Sequence, residues 1–97
     1  MELGQKLRVL RENDILIIAN GNIVHNLGTV DFDRKKNHPY PFARDFDAAF
    51  RTALAQKDYP ALLDPYALPG SERSVPTLEH YIPALIAIGA SYPEESA

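Results

Sequence analysis

Asp14-Ile15-Leu16-Ile17-Ile18-Ala19-Asn20-Gly21-Asn22-Ile23-Val24-His25-Asn26-Leu27 is the stretch on which the reading of the fold turns. The unbroken aliphatic run from Ile15 to Ala19 suits a strand buried on both faces, as in a parallel sheet covered by helices. If the strand ends in Asn20-Gly21-Asn22, His25 lies in the crevice beyond the carboxyl ends of the strands, where α/β proteins keep their ligands. A second reading stands beside the first. Asn20-Gly21 between two apolar runs is also a signal for a β-hairpin, with Ile23 to Leu27 as the return strand and His25 an ordinary half-buried residue.

Outward from this stretch, Leu3, Leu7 and Leu10 recur at helical spacing with Lys6, Arg8 and Arg11 between them. The spacing predicts an amphipathic helix over 3–11. Helix 3–11 and strand 15–19 together make half of an α/β repeat, so the expected fold class is α/β: a segment of a central sheet flanked by helices. Thr29-Val30-Asp31-Phe32 and Ile23-Val24 are weaker strand candidates. A strand as apolar as Ile15 to Ile18 needs partners for its backbone groups. These are expected from a second copy of the chain, by self-association, or from a further, N-terminal half of a larger domain.

Downstream, Pro39 and Pro41 stiffen the loop His38-Pro39-Tyr40-Pro41, and Pro41 suits the first position of a helix. Phe42, Phe46, Ala49, Phe50, Ala53 and Leu54 then form one apolar stripe, read as core. Asp58 to Leu63 is read as a short helical turn, and Asp64 to Ser74 as a loop. A last helix is expected to begin with Thr77 as N-cap and Glu79 in its first turn, and to run to about Ala90, with Pro83 inside it. His80 lies at its start. Residues 91–97 read as a polar tail, expected to fray.

The composition narrows the classes of function. Ninety-seven residues with a net charge of −3 give no electrostatic reason to expect nucleic acid. Arg34-Lys35-Lys36 lies beside Asp31 and Asp33 and reads as a solvated loop. With no cysteine there are neither disulfides nor thiolate metal sites, in keeping with a cytoplasmic location. No apolar stretch approaches a membrane span, so no membrane partner is expected.

Gly4-Gln5-Lys6-Leu7, Leu16 to Leu27, Pro39-Tyr40-Pro41-Phe42-Ala43 and Val75-Pro76-Thr77-Leu78-Glu79-His80-Tyr81-Ile82-Pro83-Ala84-Leu85, taken in order, resemble one known family. It is the C-terminal half of the class III extradiol ring-cleaving dioxygenases, in the branch that includes DOPA extradiol dioxygenase. Order and spacing agree from about Gly4 to Gly89, so the resemblance implies that residues 1–90 are a C-terminal segment of a dioxygenase-like catalytic domain. The resemblance implies O₂-dependent opening of a catechol-type ring at a divalent metal, Fe(II) for turnover or Zn(II) as isolated. It implies His25 as the acid/base catalyst approaching the metal and His80 as a metal ligand. Asn22 and Asn26 carry no assigned role.

The chemistry fits those residue types. Imidazole suits both metals, and a histidine poised near neutrality can take a proton from a diol and return it. The family's other metal-binding histidines come from N-terminal motifs, and nothing around His38 matches them. The 97 residues are therefore expected to hold only part of the site and to bind metal weakly. The competing class is a non-enzymatic binding or assembly module that keeps the fold without a functional metal site. Hydrolytic use of zinc has less support, because Glu79 is the only activating carboxylate in view.

Overall fold

In the computed structural model, which describes residues 1–30 and 38–96, all regular structure is helical. The helices are α1 (Glu2–Arg11), α2 (Pro41–Ala55), α3 (Tyr59–Leu63), α4 (Ser71–Ser74) and α5 (Ile82–Ala90). Short 3-10 turns lie at Leu27–Thr29 and Pro65–Ala67. Among the described residues no helix is long and apolar enough to cross a membrane.

The core follows the aromatic stripe. Phe46, Phe50 and Ala53 of α2 are buried against Leu62, Val75 and Tyr81. Edge-to-face contacts tie the Tyr81 ring to Phe46 and Phe50, with centroids 6.5 and 5.8 Å apart. The Tyr81 hydroxyl donates to the Leu62 carbonyl at 2.8 Å, so the most buried polar group of the core is satisfied.

Pro41 opens α2, where its missing N–H is not needed. α2 ends as Lys57 takes a positive φ of 55° and Asp58 N–H returns to the Ala53 carbonyl at 2.8 Å. Asp58 then caps α3 by accepting from Ala61 N–H at 3.2 Å.

A second unit joins the two ends of the chain. α1 crosses α5 so closely that a Cβ at Gly4 would run into the Ile86 carbonyl oxygen, and one at Gly89 into the Met1 backbone. Glycine at both positions makes the crossing possible. Arg8 Nε and Arg11 Nη1 donate to the Gly89 and Ala90 carbonyls at 3.2 and 2.8 Å, supplying cations at the C-terminal end of the α5 dipole. The segment after α5 is tied down as well. Arg11 grips the Glu95 carboxylate, Glu95 accepts from Tyr92 N–H at 2.8 Å, and the Arg11 guanidinium sits 4.9 Å from the Tyr92 ring centre.

The expected α/β class is overturned. Among the described residues there is no strand, and residues 15–22 have no regular structure. The neighbouring chain explains this. Ile15 N–H returns to the Leu10 carbonyl, closing α1, and no backbone–backbone hydrogen bond forms from Leu16 to Val24 among the described residues. Hydrophobicity marks a segment that would gain from burial, but a strand also needs a ladder partner. Leu16 and Ile18 are accordingly 81% and 79% exposed.

The hairpin is absent too, since Ile23 to Leu27 does not pair with Ile15 to Ala19 and Leu27–Thr29 is a 3-10 turn. Asp31, Phe32 and the basic stretch Arg34-Lys35-Lys36 lie outside the described residues. The last helix also starts later than expected. Thr77 to Tyr81 forms turns, and Pro83 stands in the first turn of α5 rather than inside the helix. A proline costs a helix little at its first turn and much in its interior, so the chain moves the start to suit it.

Candidate functional site

His25 and His80 reach one crevice from different parts of the chain. The His25 loop is pinned by its backbone, because His25 N–H donates to the Ser74 carbonyl at 3.0 Å. The Asn26 amide donates to the Arg73 carbonyl at 2.8 Å, and its oxygen accepts from Gly28 N–H at 3.1 Å, capping the 3-10 turn. Gly21 lets the loop pass against the other segment, because a Cβ there would collide with the His80 carbonyl oxygen. His80 in turn sits beside Tyr81, which is anchored in the core.

The two imidazole rings lie 4.4 Å apart, tilted by 40°. His25 is the more enclosed, its side chain 10% exposed against 47% for His80. Its Nδ1 faces the Ile23 carbonyl at 3.2 Å and its Nε2 faces Thr77 Oγ1 at 3.1 Å. With Nδ1–H donating to that carbonyl, the Nε2 lone pair is met by Thr77 Oγ1, whose one hydrogen goes either to His25 or to Glu79, and Nε2 becomes available to a proton or a metal once that hydroxyl turns away.

Glu79 completes the group. Its Oε1 accepts from Thr77 Oγ1 at 2.5 Å and stands 4.0 Å from His25 Nε2 and 3.9 Å from His80 Nε2. The Thr77 hydroxyl, then Glu79's own backbone, then the two imidazoles hold this carboxyl below the ordinary carboxylate range. The anionic form is the one that suits a cation.

One ligand atom from each of His25, Glu79 and His80 lies within 4.8 Å of the others. Tetrahedral zinc, with bonds near 2.0–2.1 Å, wants its donors about 3.4 Å apart. Closing that difference takes roughly an ångström of movement, which exposed side chains such as Glu79 and His80 can make by changing rotamer. Two imidazoles and a carboxylate are also the right donor types for zinc or ferrous iron. The residues therefore fit a divalent metal.

The crevice has a volume of about 1000 Å³, and all three histidines of the chain line it. Asn22, Asn26, Tyr40, Phe42 and Thr77 line it as well. The sequence drew attention to His25 and His80 but not to the joint position of Thr77 and Glu79. Thr77 was expected to cap a helix, and instead its hydroxyl binds the carboxylate two residues on. The Thr-x-Glu spacing was the available signal.

No family model matches the chain. It is 37% identical over 92 residues to 4,5-DOPA dioxygenase extradiol of Escherichia coli, covering 92% of this chain and 34% of that protein. A crystal structure of an uncharacterized protein from Escherichia coli K12 superposes with a TM-score of 0.87 at 36% identity. That match takes in 97% of this chain and 39% of the other. The chain thus spans little more than a third of the length of the relatives it matches. The resemblance carried by the His25 loop and the Val75 to Leu85 stretch extends over nearly all of it: this chain is a homologue of about one third of 4,5-DOPA dioxygenase extradiol.

Proposed function

We propose that these residues carry part of the active site of a metal-dependent extradiol dioxygenase, with His25 as acid/base and His80 as metal ligand. The observation that supports this most directly is the convergence of the His25 and His80 rings, 4.4 Å apart, in a crevice that also presents Glu79. The substrate class is a catechol-type ring, with O₂ as co-substrate, in line with the name of the Escherichia coli relative.

A divalent metal, Fe(II) for turnover or Zn(II) as a stable substitute, supplies Lewis acidity and open coordination positions for diol and O₂. The chain's own residues do the rest. His25, its ring held between the Ile23 carbonyl and Thr77, accepts a proton from a diol hydroxyl and returns it when the ring opens. His80, its ring 4.4 Å from that of His25, serves as metal ligand. Thr77 fixes Glu79 as an anion between the imidazoles, which offsets positive charge gathered there.

The test is a Zn²⁺ titration of the full chain followed by imidazole NMR, with calorimetry alongside. We expect weak binding that moves the His25 and His80 ring signals together, and a loss of the response in both His25→Ala and His80→Ala. Tight binding that survives His80→Ala would put the metal elsewhere. Absence of any imidazole response would favour the module without a working metal site.

A further inference from the structure

We infer that Asn20 is a site of covalent modification, at which the backbone nitrogen of Gly21 attacks the asparagine side chain, and that the isoaspartate formed there loosens the turn carrying His80. The inference depends on neither the metal nor the dioxygenase reading.

Asn20 is the one asparagine of this chain that precedes a glycine. In the reaction a base takes the Gly21 amide proton, and the nitrogen forms a bond to the side-chain carbonyl carbon of Asn20. Ammonia leaves, closing a five-membered imide. Water then opens the ring at either carbonyl. Opening at the backbone carbonyl gives isoaspartate, in which the chain runs through the former side chain and is longer by a methylene. Opening at the side-chain carbonyl gives aspartate. Water is the only co-reactant.

Three requirements of this chemistry meet at Asn20. The attacking nitrogen must be unhindered, and glycine carries no side chain to block it. It must be free to turn towards the preceding side chain, and from Leu16 to Val24 no backbone–backbone hydrogen bond forms among the described residues. Water must reach both groups, and Asn20 and Gly21 are exposed in a segment with no regular structure. The other described asparagines each lack one of these. Asn22 shares the segment and the exposure, but the β-branched Ile23 crowds the nitrogen that would attack. The Asn26 amide is held at both ends, by the Arg73 carbonyl at 2.8 Å and Gly28 N–H at 3.1 Å. Asn13 donates its amide to the Val9 carbonyl at 2.8 Å.

The product reaches the crevice through Gly21. A Cβ at Gly21 would collide with the His80 carbonyl oxygen and come within 3.3 Å of the Pro83 ring, so the loop is seated on the turn that leads into α5. Isoaspartate inserts a methylene and a carboxylate immediately before that seat. Close-packed backbone accommodates an inserted methylene only by shifting. The shift falls on the residue whose imidazole stands 4.4 Å from that of His25.

To test this, the full chain is held in mildly alkaline buffer and digested at intervals, and the peptides carrying Asn13, Asn20, Asn22 and Asn26 are followed by mass spectrometry. We expect the amide-to-acid mass gain first at Asn20, with isoaspartate the larger product, and little at Asn22 over the same period. A synthetic peptide of residues 17–24 sets the unfolded rate. The folded chain should react within about tenfold of it, because a segment without a hydrogen-bonded ladder needs little free energy to open. Asn20→Gln would have to close a six-membered ring and should lose the gain while keeping the helical circular dichroism. In aged wild type the His80 ring signals should shift, while those of Tyr92 stay and Asn20→Gln aged alongside shows no change. Reaction at Asn22 as fast as at Asn20, or protection of the folded chain far beyond tenfold, would overturn the inference. Unchanged His80 signals in a fully converted chain would overturn the link to the crevice.

Discussion

Removing the Tyr81 hydroxyl tests how the core supports the site. Tyr81 is fully buried, and its hydroxyl donates to the Leu62 carbonyl at 2.8 Å. Tyr81→Phe keeps the ring against Phe46 and Phe50 but leaves a buried carbonyl without its donor. That costs about 1–3 kcal/mol, from a total stability of about 5–15 kcal/mol for a domain of this kind. For a chain this short each kcal/mol corresponds to about 4–8 °C in Tm, so far-UV circular dichroism melts should resolve the change easily.

Alkaline pH provides a second, independent signature of the same hydroxyl. Burial pushes the Tyr81 hydroxyl from its ordinary 10.0 up to about 12. The folded state therefore holds this proton more tightly than the unfolded chain does. The contribution is complete below pH 10 and is lost as pH rises towards 12. Its size is on the order of 3 kcal/mol, from about 1.4 kcal/mol per tenfold change in proton affinity. The wild type should lose its advantage over Tyr81→Phe across that window. A Tyr81→Phe protein that melts with the wild type at neutral pH, and declines in parallel with it in alkali, would refute the assignment of this hydrogen bond.

The helix crossing makes a prediction of opposite sign to helix propensity. Gly89→Ala in an exposed helix would gain about 1 kcal/mol, but here the new Cβ meets the Met1 backbone and the variant should lose about 1–3 kcal/mol, read by thermal melting. Arg11 and the Tyr92 N–H hold the Glu95 carboxyl at about 2, below its ordinary 4.5. Its contribution is present above pH 4.5 and lost as pH falls towards 2, so Tyr92 fluorescence should report acid release of the segment after α5, and Glu95→Gln should abolish that transition. The exposed Leu16 and Ile18 should drive concentration-dependent self-association in light scattering, relieved in a Leu16→Asp/Ile18→Asp variant. A wild-type monomer at every concentration would contradict this.

The elements legible in the sequence were those whose pattern also determines their surroundings. The stripe that starts at Phe42 is a helix whose Phe46, Phe50, Ala53 and Leu54 meet the core, and Pro41 marks its start, so periodicity and boundary agree in α2. Ile15 to Ala19 misled because its pattern describes the side chains alone, while strand formation depends on hydrogen-bonding partners the described residues do not offer. Thr77 misled for a related reason. A threonine ahead of a helical run reads as a cap, yet Pro83 sets the helix start downstream and frees the hydroxyl for Glu79. The approach of His25 to His80 was visible only through the joint resemblance of two distant stretches. The stacking of Tyr40 on Phe42 was not visible, because a contact across Pro41 leaves no periodic trace.

The crossing of α1 with α5 carries a kinetic consequence. Arg8 and Gly89 meet across 81 residues of sequence, whereas α2 and α3 follow one another directly. Contacts that close so long a loop are entropically expensive to form early, and chains collapse first around their local contacts. α2, α3 and Tyr81 should therefore assemble ahead of α1, which docks last and, by the same token, opens first. Native-state hydrogen exchange would show this as α1 amides exchanging through a sub-global opening while those of α2 wait for complete unfolding. Until α1 docks, Gly89 and Ala90 lack their arginine partners.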